Sequence, residues 1–166
     1  MPRVESAVVI NGDLERVYAL AKDVESFPEF MPDVRSVKVL ERSDDGKRTV
    51  VEWVGIIKEF KTTIKWVEED LWDDDNKECR FKLIRGDYGA YLGMWRFEQV
   101  DGGTRFVSEI DFEYDVPLIG ALIKKLIARK MQENVDNMLA ALKRKIEESS
   151  PAGVSGFERS GNPDTD

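Results

Sequence analysis

One apolar stripe dominates the last part of this chain. Leu118, Leu122, Leu126, Ile127, Met131, Val135, Met138, Leu142 and Ile146 recur at three- and four-residue spacing. That is the signature of one face of an α-helix about eight turns long. Pro117 opens this predicted helix and Glu148 ends it. The residues before it alternate with period two instead. Strands are expected at Glu5–Ile10, Ser36–Arg42, Arg48–Ile57, Phe60–Glu68, Glu78–Arg85, Tyr91–Val100 and Thr104–Val116. Asp44-Asp45-Gly46 and Asp101-Gly102-Gly103 are hairpin signals, so neighbouring strands run antiparallel. After the first strand, Asp13 is placed to cap a helix over Leu14–Lys22, with Leu14, Val17, Tyr18 and Ala21 on one face. Ser26–Met31 suggests a second, shorter helix that ends before Pro32. A lone helix next to one sheet must bury its stripe against that sheet. The chain therefore reads as α+β.

Composition narrows the chemistry. A length of 166 residues suits one domain, and 42% hydrophobic with 10% aromatic residues supplies a folded core. Lys plus Arg total 25 against 33 Asp plus Glu, a net charge of −8 that repels phosphate backbones. Nucleic acid is not expected as a main partner. Histidine is absent, which excludes His-based triads, His metal sites and imidazole proton transfer. Cys79 is the only cysteine, so neither an intrachain disulfide nor a CxxC metal knuckle can form, and it reads as a small core residue. No metal and no cofactor is expected. The first residues lack a signal-peptide pattern, and no window reaches about 18 apolar residues, so a cytoplasmic protein is expected. The stretch 149–166 is rich in Ser, Gly and Pro and is expected to be a disordered tail behind a domain spanning 1–148.

The order strand, two short helices, six strands, long helix resembles the helix-grip fold of the START-like superfamily. The resemblance is carried by DVESFPEFMPDV (Asp23–Val34), GDYGAYLGMWRF (Gly86–Phe97), DGGTRFVSEIDFEY (Asp101–Tyr114) and the terminal amphipathic helix. That superfamily includes pollen-allergen-like proteins, polyketide cyclase/dehydrases and coenzyme-Q-binding, lipid-transport proteins. What it implies is a curved seven-stranded antiparallel sheet wrapping a long C-terminal helix, with a hydrophobic cavity between them. In the polyketide aromatase/cyclases, proposed chemistry uses an arginine, a serine and a tyrosine. Those positions fall here on Trp66, Ile64 and Val34, all apolar, while a one-residue slip would bring in Lys65 from the strand's polar side. Cyclisation needs polarised carbonyls and a proton shuttle, so no catalytic residue is assigned.

An aromatic, apolar lining takes the place of a catalytic set. The expected ligand-binding residues are Thr62, Ile64 and Trp66 on one strand, Tyr91 and Trp95 on a second, and Ser108 and Ile110 on a third. Phe27 and Met31 would form the mouth, with Ile127, Met131 and Asn134 facing down from the long helix. Large aromatics also fill ordinary cores, and Met131 on a helix stripe is commonly packing. The Ser108 hydroxyl, on an apolar strand face, needs a partner in the backbone, in a ligand or in cavity water. Asp73-Asp74-Asp75 lacks the glycine and distal glutamate of an EF-hand and reads as a solvated turn. Lys124-Lys125, Arg129-Lys130 and Lys143-Arg144-Lys145 make the long helix basic outside its stripe. That face is either solvated or makes a weak electrostatic contact with an anionic membrane or a partner when ligand is handed over.

The leading expectation is binding or transport of a hydrophobic small molecule (a lipid, an isoprenoid quinone or a polyketide-like compound) by a monomer or weak dimer. The alternatives are a polyketide aromatase/cyclase or dehydratase that acts by folding its substrate, and a ribosome- or protein-association factor.

Overall fold

The computed structural model describes residues 1–114 and 121–149. Strand β1 (Arg3–Ile10) leads to helix α1 (Leu14–Lys22) and a 3-10 helix at Val24–Glu29. Strands β2 (Val34–Arg42), β3 (Arg48–Ile57), β4 (Thr62–Asp73), β5 (Glu78–Gly86), β6 (Ala90–Val100) and β7 (Gly103–Glu113) follow, and helix α2 spans Ala121–Glu148. The strands form one curved antiparallel sheet in the order β1-β7-β6-β5-β4-β3-β2. This is the helix-grip architecture expected from the sequence.

Local chemistry accounts for the elements. Asp13 caps α1, its Oδ1 accepting from the Arg16 amide at 2.8 Å, and Val17, Tyr18 and Ala21 are buried as the periodicity requires. The second short helix is a 3-10 turn with Pro28 inside it, where the missing amide would interrupt a longer α-helix. Alternation alone predicts a strand beginning at Phe60. Instead a single helical turn at Lys58–Phe60 and a left-handed Lys61 (φ 50°) deliver the chain into β4 at Thr62. That strand then continues to Asp73, five residues beyond the expected end at Glu68. The predicted start of α2 at Pro117 and the last two residues of the predicted seventh strand, Asp115 and Val116, lie outside the described residues. So does the predicted tail from residue 150 onward.

The acidic turn is less solvated than its composition implies. Asp74 accepts from the Tyr18 hydroxyl at 2.7 Å and from Lys22 Nζ at 2.9 Å, which ties the β4–β5 turn to α1. Asp73 Oδ1 accepts from the amides of Asp75 and Asn76 and closes the turn itself.

Helix α2 buries Val135, Leu139, Ala141, Leu142 and Ile146 in the common core. Polar contacts fix it along β1. Ser6 Oγ donates to Asp136 Oδ1 at 2.6 Å, Gln132 Nε2 to the Glu5 carbonyl at 2.9 Å, and Lys143 Nζ to the Val9 carbonyl at 2.8 Å. Lys130 pairs with Glu59 and Glu133, and Lys143 with Glu147, so part of the helix's basic face is locally neutralised.

Candidate functional site: an aromatic cavity with a buried carboxyl pair

Strand pairing brings the inward side chains into register. Trp53 of β3 lies opposite Trp66 of β4, Val51 opposite Glu68, and Thr49 opposite Asp70. Phe81 of β5 faces Asp70 on one side and Gly93 of β6 on the other. Gly93 is there because nothing larger fits. A Cβ at that position would lie 2.6 Å from the Phe81 ring and would also strike the Glu109 carbonyl oxygen. The absent side chain lets the Phe81 ring lie over β6.

Between this face and α2 is a cavity. It encloses about 750 Å³ of atom-free space counted out through its opening, of which about 80 Å³ admits the centre of a water molecule. The enclosed interior is therefore small and narrow, a shape that suits a ring or an alkyl chain. Its wall is aromatic: Trp53, Trp66, Phe81, Tyr88, Tyr91 and Trp95 all line it. The rings pack on one another, Trp53 and Trp66 stacked at 5.8 Å and Tyr88 and Tyr91 at 4.8 Å between centroids. Met131, Asn134, Val135, Asn137 and Met138 of α2 form the opposite side. A smaller recess beside it is bounded by Ile57, Ile127 and Lys130 and shares Ile64, Tyr88, Met131 and Asn134.

Most of the residues expected at the cavity lie there: Met31, Ile64, Trp66, Tyr91, Trp95, Ile110, Met131 and Asn134 at the main cavity and Ile127 at the recess. Thr62 does not. It is exposed at the first position of β4, because the strand enters the sheet from the Lys58–Phe60 turn and points this residue to solvent. Phe27 is buried behind the wall rather than at the mouth, packed against Phe30, Trp53 and Trp95. Ser108 is fully buried opposite Trp95 and outside the lining, and its Oγ has no protein partner among the described residues. Asn134 donates to the Ile56 carbonyl at 3.3 Å while keeping its place at the cavity.

The sequence reading missed a pair of carboxyls, Glu68 and Asp70, both buried on the inner face of β4. Glu68 lines the cavity, and its Oε1 accepts from Trp66 Nε1 at 2.7 Å. Asp70 lies beside it on the same strand face, and Asp70 Oδ1 has no hydrogen-bond partner among the described residues. Burial raises the Glu68 carboxyl above the usual carboxylate range. Asp70 is raised further, first by burial and then by the neighbouring charge of Glu68. Neither carboxyl has a Lys or Arg partner among the described residues. Cys79, also buried, is pushed up by burial and by the same two carboxyls and holds a neutral thiol. Burial raises the Tyr88 and Tyr91 phenols as well, so both stay neutral.

Continued alternation would have revealed the pair. Ile64, Trp66, Glu68, Asp70 and Trp72 share one parity and all are buried. Tyr88 gave no such signal, because it sits in the connection between β5 and β6. The opening is framed by Met31, Pro32, Asp33 and Val34 on one side and by α2 on the other. Asn137 Nδ2 donates across it to Asp33 Oδ2 at 3.1 Å, and Lys58 Nζ lies 3.8 Å from Asp33 Oδ1.

Residues 10–139 match the family described as "Polyketide cyclase / dehydrase and lipid transport". The chain belongs to that family. Among solved structures it is similar to TTHA0849 from Thermus thermophilus, with 36% identity and a TM-score of 0.83 over 90% of this chain and 99% of that one. A START superfamily protein from Mycobacterium smegmatis has the same fold, with a TM-score of 0.77 at 16% identity over 90% of this chain and all (100%) of that one. Among curated proteins, the ribosome association toxin RatA of Escherichia coli (strain K12) is 26% identical over 144 residues, 85% of this chain and 84% of the relative.

Proposed function

We propose that this family member binds and carries, or senses, a hydrophobic small molecule between the sheet and α2. The supporting observation is a cavity walled by six aromatic side chains, open at one end between Met31–Val34 and α2. Such a wall gains from apolar contact along its whole length, and the few polar groups in it orient the guest. The residues placed to hold that guest are Ile64, Trp66, Tyr91, Trp95, Ile110, Met131 and Asn134, joined by Trp53, Phe81 and Tyr88. Native mass spectrometry of gently purified protein, followed by organic extraction, tests the reading. A discrete added mass with an apolar extract is the expected result. A bare protein mass, with no uptake from an offered panel of lipids and quinones, would overturn it.

A second reading is association with ribosomes, which draws on the likeness to RatA over 85% of this chain and 84% of the relative. The net charge of −8 weighs against contact through RNA. Co-sedimentation with ribosomes that survives moderate salt would favour this reading over the first.

A further inference from the structure

The polar character of the cavity wall is one-sided. Among the described residues two acidic side chains, Asp33 at the mouth and Glu68 inside, line it and no Lys or Arg does, Lys130 bounding only the smaller recess beside it. Glu68 is 4% exposed, and its hydrogen-bonded protein partner is the Trp66 indole N–H, a neutral donor. The neighbouring Asp70 is itself acidic, and no Lys or Arg pairs with either group, so a charge on Glu68 has no counter-ion within the described protein. The wall that Glu68 shares is built from the rings of Trp53, Trp66, Phe81, Tyr88, Tyr91 and Trp95, whose π faces carry negative potential. An anionic guest would meet two carboxylates in a poorly hydrated space. A cationic one would meet a counter-ion and aromatic faces together.

We propose that the cavity takes an apolar molecule bearing a protonated amine, with Glu68 as the counter-ion of the ammonium group. This rests on the hydrophobic-ligand reading above and names the chemical class of the ligand. An ammonium N–H would donate to Glu68, and the aromatic wall would receive both the cation's field and the apolar chain. Burial, which disfavours a lone carboxylate here, then ceases to oppose ionisation, because the guest supplies the compensating charge. Asp33 at the mouth is already paired with Lys58 and bonded by Asn137, so the preference for a cation rests on Glu68.

Three probes of equal chain length separate the possibilities: n-octylamine, 1-octanol and octanoate, titrated at neutral pH with tryptophan fluorescence as the readout. Trp53, Trp66 and Trp95 in the wall report on occupancy. The expected order is octylammonium tighter than octanol by about tenfold, with octanoate weakest. Glu68→Gln keeps an oxygen to accept the Trp66 bond and removes the charge. It should abolish the ammonium preference, bringing octylamine to the same affinity as octanol. Octanol binding as tightly as octylammonium, or a preference that survives E68Q, would overturn the amine assignment and leave the carrier reading standing. No binding by any of the three would overturn both. The ranking in the unmodified protein is decisive even if E68Q folds poorly.

Discussion

At the scale of single residues, the informative feature is the Glu68–Asp70 pair. A carboxyl with a raised folded-state pKa binds its proton more tightly in the folded than in the unfolded chain. Its contribution to stability is therefore greatest below the ordinary carboxylate value, about 4, and declines as pH rises through the folded-state values. Other carboxylates slope the opposite way. Asp74 is held low by Lys22 and the Tyr18 hydroxyl, and Asp111 by Arg3, so their contributions are lost as pH falls through their values. Those groups are the same in an Asp70→Asn variant, so the difference between variant and parent isolates the pair. Urea unfolding between pH 4 and pH 8 should show the parent losing stability relative to D70N as pH rises. A constant difference across that range would mean that Asp70 titrates normally. Ser108 stands apart at this scale: its buried hydroxyl has no protein partner among the described residues.

At the scale of elements, the strands and helices are legible in the sequence because each carries its own period. The alternation in β3 matches its bounds, and α1 begins at its predicted cap. The end of β4 is hidden because a run of acidic residues resembles a turn. The parity that makes Ile64 and Trp66 inward continues through Glu68 and Asp70 to Trp72, and the apolar side chains around them decide the strand's length. Thr62 departs from its expected place for a related reason. Alternation says which residues share a face, but not where a strand detaches from the sheet. A close contact between elements is at Gly93, where β6 yields to the Phe81 ring of β5. Gly93→Ala should force that ring aside and destabilise the protein by about 1–3 kcal/mol, as overpacking does in dense cores. Denaturant unfolding measures the loss, and a change within error would mean the sheet yields there at no cost.

At the scale of the whole molecule, the fold is legible because one sheet and one long amphipathic helix have few ways to bury each other's apolar faces. The cavity is reached only through family resemblance, because its volume depends on the separation of α2 from the sheet, a distance no local pattern encodes. Its opening is equally non-local, framed by Met31–Val34 before β2 and by a turn of α2 more than a hundred residues later. The bond from Asn137 to Asp33 crosses that gap, so a guest entering there must part it or pass beside it. Replacing both residues with cysteine and joining them with a short thiol cross-linker would hold the gap shut, while the buried Cys79 stays out of reach. Exchange of a bound apolar fluorophore, followed by stopped flow, should slow by about tenfold or more once the linker is in place. The unlinked double variant should exchange much as the parent does. Unchanged exchange after complete linkage would place the entry route elsewhere, with the recess beside Ile57, Ile127 and Lys130 as the next passage to close.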